Sequence, residues 1–136
     1  MDRLNGKTAV VTGGASGIGF ATAKRFVEEG AFVFIFGRRQ DALDAAVAKL
    51  GPNAVAVQGS VTELADLDRL FAAVEAQRGT LDILMANAGT GELVPLGEIT
   101  PEHYDQNFDV NVKGLVFTVQ KALPLMTAGG SIILTG

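Results

Sequence analysis

The chain has 136 residues, 48% of them hydrophobic and 17 of them glycine, with a formal net charge of -4; this describes one turn-rich globular domain with a real core and excludes a disordered, fibrous or two-domain protein. The 11 Lys and Arg residues are scattered, which excludes a nucleic-acid partner, because neutralising a phosphate backbone needs clustered cations. With no Cys and a single His, His103, disulfides, thiolate chemistry and His-built metal sites are excluded, no metal is expected, and a reducing cytoplasm is the expected location.

No apolar run approaches the roughly 20 residues of a membrane span, and Met1 to Gly6 lacks the apolar segment of a signal peptide, so no membrane association is expected.

The first apolar run, Thr8 to Val11, predicts a strand. It leads into Thr12-Gly13-Gly14-Ala15-Ser16-Gly17-Ile18-Gly19 and an Ala-rich helix, Ile18 to Glu29, closed by Gly30. A Gly-rich turn between a buried strand and a helix is the context of a dinucleotide fingerprint. Gly13 permits the tight turn, Gly17 lets the backbone approach a pyrophosphate, and Gly19 lets the helix pack on the strand. The competing reading is a Gly-rich turn with no ligand. A P-loop fails, because no Lys-Ser or Lys-Thr follows the last glycine.

The second strand, Phe32 to Phe36, runs into Gly37-Arg38-Arg39. NAD wants an acidic acceptor there for its ribose 2′-hydroxyl, and the adenosine of a methyltransferase cofactor wants the same. Arg38 and Arg39 are donors without acceptor capacity and suit a 2′-phosphate, so NADP is expected over NAD. Two solvated arginines at a loop tip are the alternative, and which arginine dominates stays open.

A helix over Asp41 to Leu50 ends at Gly51-Pro52. A third strand, Ala54 to Val57, is followed by Gly59-Ser60-Val61 and by a helix with Thr62 as N-cap that closes at Gly79. A fourth strand, Leu81 to Ala86, precedes Asn87-Ala88-Gly89. Thr100 is the expected N-cap of the next helix with Pro101 at its first position, and Ser131 to Leu134 is the fifth strand. Glu28-Glu29, Asp66 and Asp68 read as surface charge without partners, and His103 as a solvated surface residue.

Five continuous apolar runs alternating with helices predict an α/β fold: a doubly wound, Rossmann-like parallel sheet in the order 3-2-1-4-5 with helices on both faces, one domain over residues 1–136. Such sheets bind ligands beyond the carboxyl ends of their strands, where strand order reverses. That gathers Gly13 to Gly19, Gly37 to Arg39, Gly59-Ser60 and Asn87 to Gly89 around one candidate site.

The Thr-Gly-x-x-x-Gly-x-Gly spacing of Thr12 to Gly19, Ala86-Asn87-Ala88-Gly89 after the fourth strand, and Asn111 in Asn111-Val112-Lys113-Gly114 together resemble the short-chain dehydrogenase/reductase family over essentially the whole chain. The resemblance implies NADP-dependent hydride transfer to or from a small-molecule carbonyl or alcohol, in a protein that is a homo-oligomer when complete. It implies cofactor contacts from Thr12, Gly13, Gly14, Ala15, Ser16, Gly17, Ile18 and Gly19, from Gly37, Arg38 and Arg39, from Ser60 and Val61, and from Asn87, Ala88 and Gly89. Asn111 takes the catalytic role of anchoring a water in the proton relay. Ser60 stands where the family has an Asp that contacts adenine; a hydroxyl still accepts that hydrogen bond, more weakly.

The family also carries a Ser just after the fifth strand and then Tyr-x-x-x-Lys, and Gly136 corresponds to the residue before that Ser. Tyr104, the single Tyr, has Phe108 four residues on and so cannot stand in for the Tyr-Lys pair, in which the ammonium lowers the phenol pKa; it is expected to pack against the neighbours of its helix. The expectation is therefore an N-terminal portion of a reductase, inactive alone. A stand-alone NADP-binding or interaction module is the alternative. The substrate stays unread, and Gly91 to Gly97 is expected at the pocket rim.

Overall fold

The computed structural model of the protein describes residues 2–89 and 95–135. Strands β1 (Thr8–Thr12), β2 (Phe32–Gly37), β3 (Ala54–Gln58), β4 (Ile83–Ala86) and β5 (Ser131–Leu134) form one parallel sheet in the order β3-β2-β1-β4-β5. Helices α1 (Gly17–Glu28), α2 (Gln40–Leu50), α3 (Leu64–Arg78), α4 (Pro101–Phe108) and α5 (Gly114–Ala122) connect them. The expected fold and strand order are those observed.

Alternation along each strand explains why the apolar runs are continuous. Ala9, Val11, Val33 and Ile35 pack in one cluster with Ala23 of α1 and Leu43 and Ala46 of α2. Their neighbours Val10, Phe34, Phe36 and Leu84 pack in a second with Leu67, Leu70 and Val74 of α3 and Ala122 of α5. Both faces of the central strands are thus covered, and each fully buried Val, Leu, Ile or Phe contributes about 1.5–3 kcal/mol. Strand β5, at the sheet edge, is exposed along its length.

Several local expectations are corrected. Helix α3 starts at Leu64 behind Glu63, with no side-chain cap; Thr62 instead pairs its hydroxyl with Ser60 Oγ at 2.7 Å. The Asp66 carboxylate, in the first turn, reaches back to accept the Ser60 N–H at 2.9 Å. The fourth strand begins at Ile83 rather than Leu81. Thr100 does cap α4, its Oγ1 accepting from the His103 N–H at 3.1 Å. Between α4 and α5 the helix widens into a π segment, Asp109–Lys113, which the sequence pattern did not announce.

The charges expected to be free have partners. Glu29 is only 5% exposed and takes Arg25 at 2.8 Å. Asp66 pairs with Arg69 at 3.0 Å and Asp68 with Lys121 of α5 at 2.5 Å. His103 is half-buried rather than solvated. Tyr104 stacks on Phe108 of its own helix, centroids 4.4 Å apart. Both rings are about half exposed, at 53% and 46%, so Tyr104 does not pack inward.

Candidate functional site: a cleft at the switch point

The carboxyl ends of β1 to β4 open onto a cleft of about 470 Å³ at the point between β1 and β4 where strand order reverses. The turn after β1 contributes Gly13, Ala15, Ser16, Gly17 and Ile18. The end of β2 contributes Phe36 to Arg39, with Ala42 of α2 beside it; Gly59, Ser60 and Val61 follow β3; Asn87, Ala88 and Gly89 follow β4. Sequence reasoning did not single out Phe36, Ala42 or Val110, which also line the cleft. Phe36 and Ala42 adjoin Gly37 to Arg39, whereas nothing local marks Val110, brought in by the π segment.

Gly13 and Gly17 lie in the left-handed region at φ 66 and 56, where an L side chain is strained. At Gly17 a Cβ would meet nothing within 4 Å, so the backbone is bare on its open side. Ser16 gives α1 no side-chain cap and its first turn carries no acid, which leaves N–H donors and the positive end of the helix dipole available to an anion. Helices α2 and α3 do have a carboxylate there, Asp41 and Asp66.

Gly14 and Gly19 do not line the cleft; they allow the turn to pack behind it. A Cβ on Gly14 would stand 2.7 Å from Ile35 Cγ2. On Gly19 it would collide with the Gly13 carbonyl and lie 2.7 Å from Asn87 Nδ2, so the close approach at Gly19 is to the turn itself rather than to the strand. Thr12 is buried, its hydroxyl accepting from the Asn87 and Ala88 N–H groups, and stands behind the wall as well.

The two arginines differ. Arg39 pairs with Asp41 at 3.0 Å, whereas no ion pair of Arg38 occurs among the described residues; its carbonyl accepts from Gln58 Nε2 at 3.1 Å. The Asp41 carboxyl is held below its usual range by the Arg39 guanidinium and by the Ala42 N–H.

Beside the end of β2, after β3, Ser60 Oγ accepts the Thr62 N–H at 3.2 Å. Asp66 is held below its usual range first by the Ser60 N–H and then by Arg69. Asn87 donates to the Gly13 carbonyl at 3.4 Å and accepts from the Thr135 hydroxyl at 3.1 Å. Asn111 lies in the π segment beside Val110, and a Cβ added to Gly89 would sit 3.0 Å from its Oδ1. Asn111 therefore borders the cleft next to Gly89 without lining it, and π segments recur at functional sites. Of the rim expected at Gly91 to Gly97, residues 91–94 lie outside the described residues, as does Gly136.

The family model for short chain dehydrogenase matches residues 7–136. The chain belongs to the short-chain dehydrogenase family. An oxidoreductase of Sarocladium schorii is 71% identical over 138 residues, covering 100% of this chain and 55% of that protein. The sorbitol dehydrogenase of Cereibacter sphaeroides is 44% identical, covering 94% and 50%. The crystal structure of L-sorbose reductase from Gluconobacter frateurii, complexed with NADPH and L-sorbose, superposes with a TM-score of 0.92 at 34% identity, covering 98% of this chain and 54% of that one. The chain spans about half the length of the curated relatives it matches. Among the described residues no helix is long and apolar enough to cross a membrane, and no cluster of His, Cys, Asp and Glu could hold a metal ion.

Proposed function

We propose that the cleft holds NADP(H) and that the complete protein is a cytoplasmic oxidoreductase exchanging hydride with the carbonyl or alcohol of a small molecule. The observation that carries the cofactor choice is the end of β2, where Gly37 and Arg38, an arginine with no ion pair among the described residues, stand in place of a carboxylate. The fit of the remaining residues supports it. The bare backbone at Gly17 and the uncapped start of α1 suit a pyrophosphate, Arg38 a 2′-phosphate with Arg39 beside it, and Ser60 with Val61 an adenine edge. A bound nicotinamide supplies the hydride. Asn111, beside Gly89, is assigned the catalytic task of holding a water for proton transfer. Further support comes from L-sorbose reductase, a 34% identical neighbour whose crystal structure is a complex with NADPH.

A homo-oligomer is the assembly we assign to the complete protein. Tyr104, Phe108, Val112 and Val116 recur every four residues and are each about half exposed, an apolar stripe of the kind that a second copy covers.

Calorimetric titration of Arg38→Ala with NADPH and NADH tests the cofactor assignment. Each charge-assisted contact to the 2′-phosphate is worth about 1.5–3 kcal/mol. The variant should therefore lose most of its preference for NADPH while its affinity for NADH stays. An unchanged preference would reject the role given to Arg38.

A further inference from the structure

Arg38 and Arg39 are adjacent, alike in charge and both in the cleft wall, yet the structure treats them differently. The register of β2 and β3 ends at Gly37 opposite Gln58, and the Gly59 N–H then donates to the Gly37 carbonyl at 2.8 Å. One residue further the Gln58 side chain continues the ladder, its Nε2 donating to the Arg38 carbonyl at 3.1 Å. The peptide from which the Arg38 side chain departs is thereby held on both sides. Asp41, by contrast, has both carboxylate oxygens engaged: Oδ1 accepts the Ala42 N–H at 2.8 Å in the first turn of α2, and Oδ2 takes the Arg39 guanidinium at 3.0 Å.

Resting on the NADP(H) reading above, the geometry points to a division of labour: Gln58 is a positioning residue that aims Arg38 at the 2′-phosphate, and Asp41 is a built-in competitor that keeps Arg39 away from it. Asp41 acts twice in this scheme. Its carboxylate occupies the guanidinium that a second phosphate contact would need, and its own charge sits at the start of α2, where the helix dipole would otherwise favour an anion. The pair is exposed on both sides, 76% and 74% by side chain, so a phosphate dianion meets a weak rival and the effect is graded rather than all-or-none. The arrangement holds the chain's preference for NADPH below what two adjacent arginines could reach, which lets NADH retain access.

The test is titration of the full chain with NADPH and with NADH, read as the ratio of the two Kd values. Asp41→Asn should raise the preference for NADPH about two- to fivefold, the range of an exposed ion pair, and the gain should vanish when Arg39→Ala is added. Arg39→Ala alone should change the ratio by less than about twofold, again because the pair is exposed. Gln58→Met, which keeps the length and removes the donor, should lower the preference about threefold, the scale of one neutral hydrogen bond, without weakening NADH. A merely structural loss would weaken both cofactors alike. An unchanged ratio in Asp41→Asn, or Arg39→Ala as costly as Arg38→Ala, would overturn the division, as would Gln58→Met weakening both cofactors equally. If wild type shows no preference for NADPH, or Arg38→Ala leaves it unmoved, the cofactor assignment falls and the division with it. If Arg38→Ala removes the preference while the other variants are silent, only the division falls.

Discussion

The buried hydroxyl of Thr12, at the end of β1, accepts a hydrogen bond from the backbone N–H of Asn87, at the end of β4, at 3.0 Å. These residues lie 75 apart in sequence and stitch together the two strands between which the cleft opens. The same oxygen takes the Ala88 N–H at 3.1 Å and reaches the Met85 carbonyl at 3.5 Å. Thr12→Val preserves shape and strands two partly buried donors, a loss of about 1–3 kcal/mol each where water cannot replace the partner. Urea denaturation should show that loss, with NADPH binding weakened in parallel, whereas Thr12→Ser should restore both. Stability equal to wild type in Thr12→Val would show that the stitch is dispensable.

The glycines of the first turn should separate packing from binding. Gly19→Ala drives a methyl into the Gly13 carbonyl, a backbone collision of the kind that costs about 1–3 kcal/mol or more, so its melting temperature should fall. Gly17→Ala meets no neighbour and bears only the left-handed φ, about 1–2 kcal/mol, while its methyl projects from the bare backbone at the cleft. Binding of NADPH should therefore drop more than stability does in Gly17→Ala. Equal losses of binding in two equally stable variants would contradict this assignment of roles.

Asp66 ties the loop after β3 to α3, and its folded-state pKa lies below the ordinary value of 3.8. A depressed carboxylate stabilises the fold fully above its unfolded pKa and loses that contribution as pH falls through the folded value. Acid unfolding of wild type should therefore show a component below 3.8 that Asp66→Asn lacks. Superimposable acid limbs for wild type and Asp66→Asn would place the titration elsewhere.

The 136-residue chain should bind NADPH without oxidising it. Reduction of a carbonyl needs an acid at the developing alkoxide, worth about 10²–10⁴-fold. Tyr104 has Phe108, not Lys, four residues on and is stacked against it on an exposed face. The check is NADPH consumption with a panel of aldehydes, ketones and quinones against an enzyme-free control. Steady consumption above that control would mean that a proton donor within these residues has been overlooked.

The sequence by itself carried the parallel sheet, its strand order and the position of the cleft, because buried runs alternating with helices and joined by right-handed crossovers admit few topologies, and such sheets bind ligands where strand order reverses. Continuous apolar runs such as Phe32 to Phe36 need cover on both faces, and Gly13 and Gly17 take the left-handed turn there without the strain an L side chain would bear. It also carried the family resemblance, through Thr12 to Gly19, Asn87 to Gly89 and Asn111. Only the tertiary structure decided which neighbours these residues meet. Thr12 and Gly19 sit behind the cleft wall because β4 delivers Asn87 against them, Asp68 loses its apparent freedom to Lys121, 53 residues on, and Val110 enters the cleft through a widened helical turn. Part of the inequality of Arg38 and Arg39 belongs to the same class: Asp41 lies two residues from Arg39, but the hold on Arg38 comes from Gln58, twenty residues on in another strand. Pairings set by packing between distant segments leave no periodic trace along the chain, so they become legible only when the fold brings their members together.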